Sequence, residues 1–102
     1  MDLKDYQKQI FQNKLDKGFN ITDIYREFCS LHEELTEACI AYQKRSNDVG
    51  EELADVAIYL LSLAEILQID LESEIVKKVA KNKNRQYTKE ADRWIKIGDN
   101  VN

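Results

Sequence analysis

The scarcity of helix-breaking residues constrains the fold of this chain more than any other feature. Its 102 residues contain no proline and only three glycines, Gly18, Gly50 and Gly98. Proline and glycine interrupt helices and form the tight turns that join strands. A sheet with many turns is therefore disfavoured, and the sequence predicts an all-α fold with long helices.

Capping residues and apolar spacing predict the first two helices. The first runs from about Asp2 to Lys17, with Asp2 as N-cap and Gly18 as a left-handed C-terminal residue. The second runs from about Thr22 to Lys44. Its apolar residues follow a 4-3-4-3-4 spacing that draws one stripe along a helix: Ile24, Phe28, Leu31, Leu35, Ala38 and Tyr42.

Two acidic residues are predicted to cap the remaining helices. Asp48, with Glu51 three residues on, begins a third helix that runs to about Ile69. Asp70 begins a fourth helix that runs to about Tyr87. Residues 88–102 are expected to form a short helix or a packed tail.

Short connections make neighbouring helices antiparallel, so we expect an antiparallel four-helix bundle in a single domain, residues 1–102. The third helix is apolar around nearly its whole circumference, so a small bundle covers it poorly. This pattern predicts a homo-oligomer, with a homodimer as the smallest unit that covers the helix better. The apolar residues are Ala54, Val56, Ala57, Ile58, Tyr59, Leu60, Leu61, Leu63, Ala64, Ile66 and Leu67.

Charge and cysteine content exclude several protein classes. The formal net charge of −4 gives no indication of a nucleic-acid or anionic-membrane partner. The first residues lack the pattern of a signal peptide, and Leu53–Ile69 is too short and too charged for a membrane span. Cys29 and Cys39 would lie ~15 Å apart on one helix and cannot form a disulfide with each other. Two reduced thiols fit a cytoplasmic protein.

Two pairs of carboxylates carry the most chemical information. Glu34 and Glu37 on the second helix, and Glu52 and Asp55 on the third, are each spaced i, i+3, so each pair projects from one helix side. In an antiparallel hairpin, facing residues have a constant sum of residue numbers. Glu34 with Asp55 and Glu37 with Glu52 give the same sum, so the pairs are expected to converge.

Four converging carboxylates favour a bound cation, because their mutual repulsion otherwise forces some to take up protons. Mg²⁺ prefers oxygen ligands and commonly links carboxylates to substrate phosphates. An unpaired Asp55 would be costly in so apolar a helix. The alternative is an ordinary solvated acidic surface. Glu33, further from the apolar stripe, fits surface charge as well as a role in the site.

A second set of residues suits phosphate binding. Lys78, Asn82 and Arg85 recur at i, i+4, i+7 and are expected on one face of the fourth helix. The alternative is a basic C-terminus that stabilises its own helix dipole. His32, the only histidine, has no nucleophile placed to partner it and is expected to be structural or at the surface.

The cysteines and several aromatic residues are expected in or near the core. Cys29 and Cys39 are interpreted as small core residues. Phe28, Tyr42 and Tyr59 are interpreted as core aromatics, one of which could instead stack on a nucleobase.

The combined pattern resembles the MazG-like, all-α nucleoside triphosphate pyrophosphohydrolases. Glu33-Glu34-x-x-Glu37 is followed after fourteen residues by Glu52-x-x-Asp55, like the family signature EExxE…ExxD. Lys17-Gly18-Phe19-Asn20 precedes this signature. Gly50–Leu60 surrounds its second half, and Lys78, Asn82, Arg85 and Tyr87 follow it. The resemblance spans about residues 15–88.

The resemblance implies hydrolysis of a (d)NTP to the (d)NMP and pyrophosphate, with Mg²⁺, or Mn²⁺ in its place, as cofactor. It assigns the metal ligands as Glu34, Glu37, Glu52 and Asp55, and the phosphate contacts as Lys78, Asn82 and Arg85. Glu33 and Glu37 are the candidate catalytic residues, and Glu33 either binds a second ion or orients the attacking water. The family is typically dimeric or tetrameric.

Two alternatives accompany this interpretation. Phosphoribosyl-ATP pyrophosphohydrolase of histidine synthesis shares the acidic helical hairpin, but it usually has a histidine after the tyrosine of the third helix, where this chain has Leu60. The other is a helical module that binds nucleotides or partners without turnover, although no expected ligand position is missing here.

Overall fold

Four α-helices and a β-hairpin make up the described part of the chain. The computed structural model describes residues 2–90 and 93–99, with side-chain burial for residues 2–85. The helices are α1 (Leu3–Lys17), α2 (Ile24–Gln43), α3 (Val49–Ile66) and α4 (Leu71–Lys83). They are followed by strands β1 (Arg85–Glu90) and β2 (Arg93–Asp99). The helices agree with the predicted all-α class, whereas the hairpin was not expected.

The ends of α1 confirm the capping prediction. Asp2 is extended, and its Oδ1 accepts hydrogen bonds from the backbone N–H groups of Lys4 at 3.0 Å and Asp5 at 3.4 Å. Gly18 adopts the left-handed conformation with φ 69°. A residue with a Cβ is strained at this φ, which explains why the helix ends at a glycine.

The N-terminal caps of α2 and α3 differ in kind. Asp23 caps α2, and its Oδ1 accepts from the Arg26 N–H at 3.1 Å. Asp48 occupies the N-cap position of α3 but makes no side-chain capping bond, so the predicted capping box is wrong. Its backbone is helical, φ −88° and ψ 0°, whereas a capping side chain is usually presented from an extended backbone.

The third helix ends three residues before the predicted Ile69. Leu67 is the C-cap, and Gln68 adopts a left-handed conformation with φ 59°. The N–H of Ile69 then bonds to the carbonyl of Ala64 at 2.8 Å. Gln7 of α1 stabilises this turn, because its Nε2 donates hydrogen bonds to Glu65 Oε1 at 3.0 Å and to the Ile69 carbonyl at 2.6 Å.

The chain forms two compact units, Met1–Leu71 and Glu72–Asn102. In the first, α3 packs against both α1 and α2. Its buried apolar residues are Ala38, Leu61, Leu63 and Ala64. The predicted bundle of all four helices and the single-domain organisation both stay predictions.

Several residues expected in the core are exposed. Cys29, Cys39, Phe28 and Tyr42 lie at the surface, so their interpretation as core residues is wrong. The apolar stripe of α2 is only partly covered: Leu35 is 54% exposed and Tyr42 is 74% exposed. On α3, the exposed large apolar residues are Leu53, Ile58 and Leu60, and Leu67 at its C-cap is exposed as well. Oligomerisation, which would cover such faces, stays a prediction.

The second unit corrects the predicted C-terminal region. Helix α4 ends at Lys83 and not near Tyr87, and β1 pairs with β2 as an antiparallel hairpin. Aromatic and β-branched residues favour strands: Thr88 pairs with Ile95, and Lys89 with Trp94. The expected short helix is therefore wrong for residues 93–99, and residues 91, 92 and 100–102 lie outside the described part. Among the described residues, no helix combines the length and apolar character needed to cross a bilayer.

Candidate metal centre

Three glutamates from two helices meet at one point on the first unit. Glu34 and Glu37 lie one turn apart on α2, and Glu52 lies in the first turn of α3. Each side chain offers an oxygen, and these three oxygens lie within 4.8 Å of one another. We call this set the three-glutamate cluster. The three oxygens lie close enough together for one cation to contact all three side chains.

Asp55 lies one turn beyond Glu52 on α3 and next to the three-glutamate cluster, although it is not a member of it. Its negative charge raises the pKa of both Glu34 and Glu52. The antiparallel pairing of α2 and α3 therefore brings both predicted i, i+3 pairs into one acidic region. Glu33, the remaining predicted carboxylate, is exposed on α2.

Burial and repulsion together perturb this acidic region. The pKa of Glu34 is raised, first by desolvation and then by the charge of Glu37 and a side-chain hydrogen bond with it. The pKa of Glu52 is raised by desolvation and then by Glu37 and Asp55. In both cases the surroundings disfavour the charged form. The folded chain thus concentrates negative charge at a cost that a bound cation would offset.

One oxygen of Glu52 provides a direct test of whether a cation fits. Its Oε2 is buried and has no hydrogen-bond partner in the described part of the chain. A buried polar atom without a partner is costly, and most such atoms in proteins are satisfied. Glu52 therefore has a buried carboxylate oxygen that lacks a partner, and carboxylate oxygens are ligands that Mg²⁺ or Mn²⁺ prefers.

The predicted phosphate-binding residues do not share one helix face. Lys78 and Asn82 are exposed on α4, four residues apart. Arg85 is half-buried and begins β1, because the helix ends at Lys83. The prediction of a continuous Lys78, Asn82 and Arg85 helix face is therefore wrong. Their role in binding phosphate stays a prediction.

Tyr59 is an aromatic residue of α3 that lies close to the acidic region. It lies one turn beyond Asp55 on α3 and is half-buried. Desolvation raises the pKa of its hydroxyl, and the charges of Glu34 and Asp55 raise it further. Its i+4 spacing from Asp55 was a sequence signal for this position, whereas Phe28 and Tyr42 are both exposed.

No pattern in the sequence indicated a buried ion pair near Tyr59. Lys14 of α1 bonds through Nζ to Oε1 of Glu27 on α2, and both side chains are almost completely buried. Lys14 Nζ also lies 5.4 Å from the centre of the Tyr59 ring. These contacts join residues far apart in the chain, so local spacing does not predict them.

Comparison with known proteins identifies the family. The model of the MazG-like family matches residues 18–99. The chain belongs to the MazG-like family. The match covers α2, α3 and α4 and continues through the hairpin, so the MazG-like region extends beyond the expected boundary at residue 88. The whole of α1, including Lys14, precedes it. No curated protein and no solved structure matches the chain.

Proposed function

We propose that this MazG-like protein is a Mg²⁺-dependent nucleoside triphosphate pyrophosphohydrolase that converts a (d)NTP to the (d)NMP and pyrophosphate. The observation that carries this proposal is the convergence of Glu34, Glu37 and Glu52 within 4.8 Å. The unsatisfied Oε2 of Glu52 and membership of the MazG-like family support it. Mn²⁺ is expected to replace Mg²⁺, because both accept oxygen ligands.

Different acidic residues would bind the metal and activate the attacking water. Glu34, Glu37, Glu52 and Asp55 would hold the metal, and Glu33 and Glu37 would orient the attacking water and accept its proton. A bound divalent ion would supply charge neutralisation for the triphosphate and a lowered pKa for water. The raised pKa of Glu34 supports metal binding at this residue, because its surroundings disfavour the charged carboxylate when no cation balances it.

The rest of the nucleotide would use residues of different chemistry. We propose that Tyr59 stacks on the nucleobase, because it is the aromatic side chain beside the carboxylates and lines a pocket with Phe19 and Asn20. Stacking on an aromatic ring is compatible with any base. Lys78, Asn82 and Arg85 would bind the phosphates, because two cations and an amide suit phosphate oxygens.

The proposal is tested by following the products from a panel of canonical and damaged (d)NTPs. We expect pyrophosphate to be released in Mg²⁺ or Mn²⁺ and its release to stop in EDTA. Orthophosphate as the first product, or full activity in EDTA, contradicts the proposal. Adding phosphoribosyl-ATP to the panel separates the closest alternative. Nucleotide binding without turnover would instead identify a non-catalytic module.

A further inference from the structure

A buried salt bridge with additional hydrogen bonds joins α1 to the start of α2. Lys14 and Glu27 form a salt bridge in which the side chains are 10% and 5% exposed. The other oxygen of Glu27 accepts a hydrogen bond from Asn20 Nδ2 at 3.2 Å. Asn20 Nδ2 also donates to the Asp23 carbonyl at 2.9 Å, which fixes it to the N-cap of α2. Both Glu27 oxygens are therefore bound within the protein.

The same lysine reaches the ring of Tyr59. The distance of 5.4 Å between Lys14 Nζ and the ring centre lies within the range of a cation–π interaction. Lys14, Phe19, Asn20, Glu27 and Tyr59 line one pocket. Tyr59 is also close enough to Glu34 and Asp55 for their charges to affect its hydroxyl. The lysine thus connects to the acidic region through one aromatic side chain.

Stability alone is a weak explanation for this buried pair. Removing two ions from water is costly, and well-packed apolar residues often serve a protein equally well or better. A fixed cation has a second consequence, because it restrains the aromatic ring that it contacts. We infer that Lys14, held by Glu27, is a positioning residue that fixes the Tyr59 ring beside the metal-binding carboxylates and so sets the affinity for the nucleotide. This inference rests on the proposed function.

The decisive variant removes the pair without leaving a buried charge. Lys14→Met/Glu27→Gln keeps the size of both side chains, and the amide oxygen introduced by Glu27→Gln still offers an acceptor to Asn20. We expect KM for the preferred (d)NTP to rise about tenfold, the scale of a lost partly desolvated cation–π contact. The value of kcat should stay within about threefold, and the Mg²⁺ concentration for half-maximal rate should not change, because the carboxylates are untouched.

An exposed ion pair that includes another lysine of α1 provides the matched control. Lys4 and Asp70 approach to 3.7 Å, and their side chains are 54% and 44% exposed. Lys4→Met/Asp70→Asn should leave KM and kcat unchanged. Lys14→Arg keeps the positive charge and a donor for Glu27, so it should raise KM less than Lys14→Met/Glu27→Gln does.

A double-mutant cycle separates positioning from general disruption. In a Tyr59→Leu background, Lys14→Met/Glu27→Gln should raise KM no further, because the ring through which Lys14 acts is gone. An unchanged KM in the folded double variant, a fall in kcat alone, or additive effects in the Tyr59→Leu background would each overturn the inference. If circular dichroism shows that the double variant is unfolded, Lys14→Gln/Glu27→Gln, which also leaves no buried charge, is measured in its place and judged by the same criteria.

Failure of the proposed function is distinguishable from failure of this inference. If the wild-type protein releases no pyrophosphate, the proposed function fails. The affinity for a non-hydrolysable triphosphate analogue in Mg²⁺ then replaces KM as the readout. A tenfold weaker affinity in Lys14→Met/Glu27→Gln supports the inference. Equal affinity, or no binding by the wild type, overturns it.

Discussion

Glu37→Gln is expected to change stability in opposite directions with and without Mg²⁺. Glu37 raises the pKa of both Glu34 and Glu52, so its charge is central to the repulsion in the three-glutamate cluster. The amide keeps the shape of the side chain and removes that charge. Without metal, the variant should therefore be more stable than the wild type. With Mg²⁺, it should be less stable, because a ligand charge is missing.

The magnitudes follow from the geometry and the size of the chain. The oxygens of Glu34 and Glu37 lie within 4.8 Å of each other, and two charges at that distance repel by ~0.9 kcal/mol in water. Because Glu37 is exposed, we use this lower limit. In a domain of this size, it corresponds to a rise of about 4 °C in Tm. Mg²⁺ at a hundredfold excess over its Kd adds ~2.7 kcal/mol to the free energy of unfolding of the wild type, which raises its Tm by about 11 °C.

The assay is thermal unfolding of both proteins in EDTA and in Mg²⁺. Glu51→Gln is the control, because Glu51 is exposed in the same turn as Glu52 but lies outside the cluster. It should retain the full Mg²⁺ response. The electrostatic reasoning would be refuted by a Glu37→Gln protein whose Tm in EDTA lies below that of the wild type. It would also be refuted if Mg²⁺ raised the Tm of the variant as much as it raises that of the wild type.

Four further predictions address the site and the assembly. Asp55→Asn should reduce turnover below about a tenth of wild type with the fold intact by circular dichroism, and a higher rate would contradict a role as metal ligand. The pKa values of Glu34 and Glu52 are raised above the ordinary glutamate value of 4.5, so the folded chain binds these protons more tightly than the unfolded chain does. The free energy of unfolding without metal should therefore fall as pH rises through the raised pKa values. Mg²⁺ stabilisation should grow over the same pH range, and melting curves that show no such trend would contradict both statements. Lys78→Ala and Arg85→Ala should each lower kcat/KM by the equivalent of ~1–3 kcal/mol, the range of a lost charged hydrogen bond. Unchanged kinetics in either variant would show that its residue does not bind the phosphates. Light scattering at micromolar concentration should give at least a dimer, and a strict monomer would refute the predicted oligomer.

Local sequence signals predicted the helices where the relevant bonds are local. Asp2 and Gly18 bound α1 as expected, because a cap bond joins residues two or three apart and a left-handed C-terminal residue favours glycine. Asp48 had the same kind of signal, but its helical backbone makes no side-chain capping bond. The end of α4 was also mispredicted, because strand pairing with residues 93–99 competes with continuation of the helix.

The proximity of the carboxylates was also accessible from the sequence. Helical spacing puts each pair on one side of its helix, and a short connection makes the helices antiparallel, so the facing residues follow from numbering alone. The structure brings Glu34, Glu37 and Glu52 within 4.8 Å, with Asp55 close by. Metal binding by these residues stays a prediction, which the Mg²⁺ melting experiment tests.

By itself, the sequence determined the helical class, the positions of most helices and the acidic hairpin, because these depend on periodicity and on residues a few positions apart. Only the tertiary structure decided which Glu52 oxygen lacks a partner, and that Lys14, Glu27 and Tyr59 meet. Those contacts join three different helices. They depend on how each helix is rotated and how deeply its side chains are buried, which spacing along the chain does not specify.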